Sequence, residues 1–229
     1  MGTFRMSRTI LVVAAHPDDE ALGCGGTMAR HAAEGDCVYA LFMTNGVDAR
    51  QNVKDNDAGI RNEAAENSCR TLDAKEYIYN DFPDNRLDTV ALLDITQSIE
   101  QVISQIQPEV IYTHHIGDLN IDHRRTHEAV MTACRPQPGF CVKEIYAFEV
   151  LSATEWNTPC VNPFIPNYFV DISSFVKNKL EAITAYSKEM RDKPHSRNKD
   201  HIEALAQHRG QTVGIFYAEA FSLLRKVNS

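Results

Sequence analysis

After its first residue, the run Thr9-Ile10-Leu11-Val12-Val13-Ala14-Ala15 contains no polar side chain, and it stops at His16-Pro17-Asp18-Asp19-Glu20. A short β-branched apolar run marks a strand buried on both faces. Four ionisable groups within five residues at the end of such a strand are a poor way to build a core. Burying one unpaired carboxylate is costly, and three together must neutralise or find a cation. One solution is a solvated strand-to-helix turn with an aspartate capping the helix that follows. The other is a metal. His16 and Asp19 offer an imidazole and a carboxylate, a set that suits Zn²⁺ or Fe²⁺ better than a thiolate-seeking ion. Consecutive side chains diverge, so Asp18 and Asp19 need not share one task.

A second cluster tips the choice toward the metal. His114-His115-Ile116-Gly117-Asp118-Leu119-Asn120-Ile121-Asp122-His123 follows another strand-like run, Glu109 to Thr113, and leads into a helix through Ala133. A catalytic zinc takes three protein ligands and leaves one position open. His16, Asp19 and one histidine of this loop would supply them.

Between and beyond these clusters strand and helix patterns alternate. Strands are expected at Cys37–Thr44, Glu76–Tyr79, Glu144–Phe148, Tyr168–Val170 and Tyr217–Leu224. Helices are expected at Ala21–Glu34, Gly59–Leu72, Ser174–Met190 and Asp200–Gln207. Between Asp88 and Gln107, Leu92, Ile95, Ile99, Val102, Ile103 and Ile106 recur at helical spacing until Pro108 ends the pattern. Asn45-Gly46 opens a polar stretch to Asp57 that reads as a lid, and Thr158–Asn167 is a Pro/Asn-rich loop. The alternation predicts an α/β fold, a mostly parallel sheet with helices on both faces. At 229 residues one domain spanning residues 1–229 is the expectation. In such sheets ligands bind beyond the carboxyl ends of the strands, where His16 and the loop after Thr113 would meet.

Composition narrows the partners. The balance of 23 basic against 31 acidic residues, a net charge of −8, argues against nucleic-acid or anionic-membrane binding. No window approaches the ~18 consecutive apolar residues of a membrane span, and Met1 to Arg8 leads into a strand rather than a signal-peptide core. The six cysteines form no C-x-x-C pair, so free thiols in a cytoplasmic setting are expected. Gly23, Gly25 and Gly26 resemble a phosphate-binding turn, but Met28 stands where the last glycine of G-x-G-x-x-G belongs. Close backbone packing beneath the metal site is the better reading of these glycines.

Ala15-His16-Pro17-Asp18-Asp19-Glu20, the later Asp122-His123, Arg61-Asn62-Glu63-Ala64 and the terminal Tyr217-Ala218-Glu219-Ala220-Phe221 together resemble the PIG-L/LmbE-like family of metal-dependent N-acetylsugar deacetylases. The resemblance runs in order from Leu11 to Phe221. It implies a Rossmann-like fold, a zinc site and hydrolysis of the acetamide of an N-acetylglucosamine-type sugar or conjugate. It also implies His16, Asp19 and His123 as metal ligands, Asp18 as general base and Asp122 as a loop-ordering residue. Where many members carry a histidine this chain has Asn120, which can donate a hydrogen bond to an oxyanion but no proton to a leaving amine. Either Asp18 shuttles that proton or another histidine does, His115 first and His195 second. Arg61, Arg86 and His195 are candidates for holding substrate, and Trp156 or Tyr168 for stacking on a sugar ring. Zn²⁺ is the expected cofactor, with Fe²⁺ compatible; the partner is a small N-acetylated sugar, and a homo-oligomer is compatible with the chain. The competing functions are an amidase acting on a thiol-sugar conjugate and a non-catalytic zinc- and sugar-binding protein.

Overall fold

The computed structural model describes residues 6–47 and 57–228; most of the polar stretch read above as a lid, residues 48–56, lies outside them. Seven strands form one sheet: β1 (Thr9–Ala14), β2 (Cys37–Thr44), β3 (Glu76–Phe82), β4 (Val110–His114), β5 (Glu144–Phe148), β6 (Tyr168–Asp171) and β7 (Ala218–Lys226). Their order is β3-β2-β1-β4-β5-β7-β6. The first five pair in parallel, while β7 runs antiparallel to β5 and β6. The chain lays β2 and β3 to one side of β1, then crosses back to place β4 on the other. That reversal makes the carboxyl ends of β1 and β4 the switch point at which open α/β sheets bind ligands.

Helices cover both faces: α1 (Asp19–Ala33), α2 (Asp57–Thr71), α3 (Leu92–Ile106), α4 (Ile121–Ala133), α5 (Val176–Ala185) and α6 (Lys199–Gln211). Ile10, Val12 and Ala14 of β1 pack with α1, α2 and α5 in one core. Leu11 and Val13 pack with α3 and α4 in the other. This is why β1 has no polar alternation. The periodic residues of α3 behave as their spacing predicts: Ile95, Ile99, Val102 and Ile103 are buried, with Leu92 and Ile106 packed at the margin. Gln107 then turns left-handed (φ 50°) before Pro108. The helix expected over Ser174–Met190 ends at Ala185 instead. Tyr186 leaves the helix to bury its ring and donate its hydroxyl to Glu20, 2.6 Å away.

α1 is broken at Cys24 (φ −147°, ψ 23°), among the glycines. A Cβ at Gly23 would lie 2.3 Å from the Phe148 ring, and one at Gly26 2.8 Å from Ile172, so both positions require glycine for close approach. The break exposes backbone N–H groups, and Glu219 meets them: its carboxylate accepts from Gly26 N–H (3.0 Å) and Thr27 N–H (2.6 Å). Lys179, 4% exposed, completes the clasp by donating to Glu219 and to the Leu22 carbonyl (2.7 Å). One buried cation thus fastens α5 and β7 to the helix that opens the candidate site. Removing one partner of a buried pair costs ~3–5 kcal/mol because the other charge remains. Lys179→Met is therefore expected to lower the urea midpoint by that order of stability, and a midpoint unchanged from wild type would show that the clasp is not holding the helix.

Candidate metal centre

The turn after β1 is built by short-range hydrogen bonds. Asp19 N–H donates to the His16 carbonyl (3.2 Å) and Leu22 N–H to that of Asp18 (2.9 Å). His16 N–H donates back to Asp19 Oδ2 (2.9 Å). Making this turn puts Asp18 at φ 130°, a region that non-glycine residues adopt only when surroundings enforce it. Glu20 does so by accepting the Asp18 N–H at 2.9 Å. Glu20 also accepts from Ser68 Oγ (2.9 Å) and Tyr186. Burial outweighs these three bonds and pushes its carboxyl up to about 7.

The result is a closed triangle of donor atoms. His16 Nδ1 lies 3.1 Å from Asp19 Oδ2, His123 Nε2 3.2 Å from the same oxygen, and the two nitrogens 3.3 Å from each other. Ligands bound tetrahedrally at ~2.0–2.2 Å stand about 3.3 Å apart, so the triangle has the size of a first-row divalent ion's ligand face. All three residues are buried, and among the described residues Asp19 Oδ1 has no hydrogen-bond partner, a buried carboxylate oxygen that a cation could satisfy. Two imidazoles and one carboxylate suit Zn²⁺ and Fe²⁺ alike.

More carboxylates back the two imidazoles, as metal-binding histidines commonly require. Asp118 Oδ2 stands 3.1 Å from His123 Nδ1 and accepts from Thr154 Oγ1 at 2.7 Å. Asp122 Oδ2 and Asp84 Oδ1 each lie 3.2 Å from His16 Nε2. Asp122 also accepts the N–H groups of Asn85 (2.6 Å) and Leu87 (3.0 Å), which orders the loop after β3. Burial alone would lower both imidazoles. Asp19 and Asp118 hold His123 at about 9, and Asp122, Asp19 and Asp84 hold His16 well above its ordinary value. Asp19 runs the other way: burial would raise it, but His123 and His16 keep it well below the carboxylate range. The carboxylates that favour protons on these rings favour a cation between them, so metal and protons compete. The Nε2 of His114 is already engaged, although its Nδ1 has no partner among the described residues. Its Nε2 accepts the Ala15 N–H (2.8 Å), its ring stacks on His123 at 3.9 Å, and burial, with the His123 charge, drives its pKa down.

Asp18 sits beside the triangle with both oxygens met by arginine: Arg61 Nη2 at 3.1 Å and Arg197 Nη1 at 2.8 Å. Burial still raises its pKa against the two guanidinium charges. Arg61 is buried, also pairs with Glu189, and lies 5.8 Å over the Tyr186 ring. Asn120 caps α4: its side-chain oxygen accepts Asp122 N–H (2.8 Å), and its Nδ2 donates to Asn85 Oδ1 (3.1 Å). His115 is turned away, bonded to the Asn162 carbonyl (2.8 Å) and edge-on to Phe164. Arg86 is exposed on the turn that Asp122 orders. His195 accepts the Arg197 N–H at 3.0 Å and meets the Trp156 ring, whereas Tyr168 packs on Tyr146. The residues that sequence reasoning missed are Asp84, Asp118, His114, Glu189 and Arg197. Asp118 and His114 lay within the singled-out cluster; the others carried no local signal.

The model of the family described as PIG-L, GlcNAc-PI de-N-acetylase, matches residues 11–134, and the chain belongs to that family. The protein named "Uncharacterized deacetylase YaiS" of Escherichia coli K12 is 35% identical over 134 residues, 56% of this chain and 69% of that one. A diacetylchitobiose deacetylase of Thermococcus kodakarensis is 26% identical over 94% of this chain and 83% of its own. Among solved structures, the N,N'-diacetylchitobiose deacetylase of Pyrococcus horikoshii superimposes with a TM-score of 0.78 at 21% identity, covering 96% of this chain and 84% of that chain. The 4-carboxy-2-hydroxymuconate hydratase of Pseudomonas putida KT2440 does so with a TM-score of 0.76 at 23% identity, covering 97% and 98%. The fold alone therefore does not choose the reaction.

Glu20 generates a test of how the turn is held. Its carboxyl ionises near 4.5 when exposed and near 7 when folded. The folded state therefore binds the extra proton between those values, and the stability Glu20 contributes is full below about 4.5 and lost as pH rises toward 7. In metal-free protein, Glu20→Gln is expected to flatten the fall of unfolding free energy over that window, because the amide does not titrate while its oxygen can still accept the Asp18 N–H. Identical pH–stability curves for wild type and variant would overturn the assignment.

Proposed function

We propose that the protein is a divalent-metal-dependent deacetylase that hydrolyses the acetamide of an N-acetylglucosamine-type sugar or sugar conjugate to acetate and a free amine. His16, Asp19 and His123 hold the ion, Zn²⁺ by donor chemistry with Fe²⁺ next, and Asp18 is the general base. The observation that carries this reading is the closed triangle of donors with a buried carboxylate beside it; the deacetylases among the family relatives support the choice of reaction. An ion in the triangle would polarise the acetamide oxygen and lower the pKa of water from ~15.7 toward ~7.

The chain's own groups do the rest. Each Asp18 oxygen meets one arginine and keeps a lone pair with which to take the proton of the attacking water. Its raised pKa suits Asp18 to carry that proton to the departing nitrogen. Both tasks fall to Asp18 because Asn120 has no proton to give and His115 is engaged with Asn162. The Asn120 amide has one N–H beyond its bond to Asn85, enough to steady an oxyanion. Arg61, Arg86 and His195 are the groups proposed to contact substrate hydroxyl or acidic groups. Six free cysteines support a reducing, cytoplasmic location.

The test is acetate and amine release from a panel of N-acetylated sugars, free, nucleotide-linked and glycosidic, with zinc-loaded and chelated protein. Metal-dependent release is expected. Silence across the panel from metal-loaded protein would favour the thiol-conjugate amidase or a binding protein. Asp18→Ala is expected to keep the metal and lose ~10²–10⁴-fold in rate, whereas Asp19→Ala and His123→Ala lose the metal. Full activity in metal-loaded Asp18→Ala would end the general-base assignment. Asn120→His is expected to keep its rate within about tenfold, at ~1 kcal/mol of helix-cap stability; complete loss of rate would show that catalysis requires the amide.

A further inference from the structure

Asp18 is gripped from two sides, and the two grips are not alike. Arg61 Nη2, 3.1 Å from Oδ1, belongs to a guanidinium that also pairs with Glu189 and lies over the Tyr186 ring, so its charge is shared. Arg197 Nη1 donates to Oδ2 at 2.8 Å, and Asp18 is its one carboxylate partner among the described residues. The Arg197 Nε–H points elsewhere, to the Leu151 carbonyl at 3.1 Å. Two bonds from different edges fix the plane of a guanidinium. The segment that carries it joins α5 to α6 and is itself tied down. Arg191 N–H donates to the Arg197 carbonyl (3.1 Å), and Arg197 N–H donates to His195 Nδ1 (3.0 Å). Asn198 caps α6 by accepting His201 N–H (2.9 Å), and its amide donates to the His195 carbonyl. The His195 ring in turn meets the Trp156 indole edge-on, centroids 5.4 Å apart.

The last torsion of an aspartate side chain is soft, whereas a general base must keep its oxygen within hydrogen-bond reach of the proton it takes. On Arg61 alone, the Asp18 carboxylate would pivot about a single contact for which Glu189 competes. We propose that Arg197 is the positioning residue of Asp18: its braced guanidinium sets the plane of the carboxylate, so that the base meets the attacking water in one orientation. Arg197 acts through Asp18 and not on the substrate. Its removal therefore takes away an interaction that matters in the transition state, which lowers kcat, and leaves ground-state binding, which sets KM, in place. The inference rests on the reading of Asp18 as general base of the proposed deacetylase.

For whichever acetamide the wild type hydrolyses, Arg197→Ala is expected to keep its metal, to lose about 10²-fold in kcat, the order that a misplaced reacting group costs, and to hold KM within about threefold. Free guanidinium ion below denaturing concentrations is expected to restore about tenfold of that loss in Arg197→Ala and none in Asp18→Ala, a rescue that a mere loop tether would not give. Arg197→Lys keeps the charge without the planar fork and is expected to stay about tenfold below wild type. A raised KM with kcat intact would overturn the proposal and make Arg197 a substrate contact. Full rate in Arg197→Lys would overturn it too, since charge alone would then suffice. Melting temperatures test the grip without turnover. Arg197→Ala is expected to lower that of the wild type by several degrees, and to leave that of Asp18→Ala unchanged or higher, because there the arginine has already lost its partner. Additive shifts would overturn the grip. Coupled shifts in a wild type that releases no acetate would support the grip and count against the deacetylase; additive shifts with no release would overturn both.

Discussion

Charge balance in a water-poor pocket governs this structure. Asp18, Asp19, Glu20, Asp84, Asp118 and Asp122 are all nearly inaccessible to solvent at the carboxyl ends of β1, β3 and β4. Such a set is tenable only where positive charge and donors meet every oxygen. The chain divides the work. Arg61 and Arg197 answer Asp18, backbone N–H groups answer Asp122, and the imidazoles of His16 and His123 answer Asp19 and Asp118. Asp19 Oδ2 forms one corner of the donor triangle, and its Oδ1 has no hydrogen-bond partner among the described residues. A cation held between the donors would balance that remaining negative charge.

The sheet topology explains why these groups could meet at all. β1 and β4 are neighbours in space, yet the chain reaches β4 only after building β2 and β3 on the far side. His16 and His123 therefore approach from loops that are remote in sequence but share one sheet edge. The strained Asp18 peptide is the local cost of turning so sharply from β1 into α1. Glu20 absorbs that cost, and the break in α1 at Cys24 lets the helix run on over Phe148 and Ile172. Every device in the turn serves to hold neighbouring carboxylates on different partners.

Much of this was legible in the sequence, for definite reasons. β1 announced itself because both of its faces are buried, and α3 because only one of its faces is. The His16–Glu20 cluster stood out because polar residues at the end of an apolar strand need an explanation, and the placing of glycines beneath it followed from the need for close packing. What escaped notice shares one property. Arg197 lies 179 positions from Asp18 and Lys179 lies 40 from Glu219, and neither has a local pattern that names its partner. Asp84 sits in an ordinary-looking turn and matters only because the loop after β3 reaches across β2 to the end of β1. The end of α5 was missed because Tyr186 obeys a buried carboxylate rather than helical propensity.

The family match ends at residue 134, and the donor triangle lies wholly before it. Arg197, Glu189, Tyr186, Lys179, Glu219 and the Trp156 turn all come after it. The matched part of the chain thus holds the donor triangle, and the part after it holds groups that brace it. The Lys179–Glu219 clasp joins the two parts, since it anchors the opening helix to strands and helices laid down last. During synthesis the donor residues leave the ribosome before the groups that restrain them, so the acidic pocket can close only once the later helices and β7 have docked.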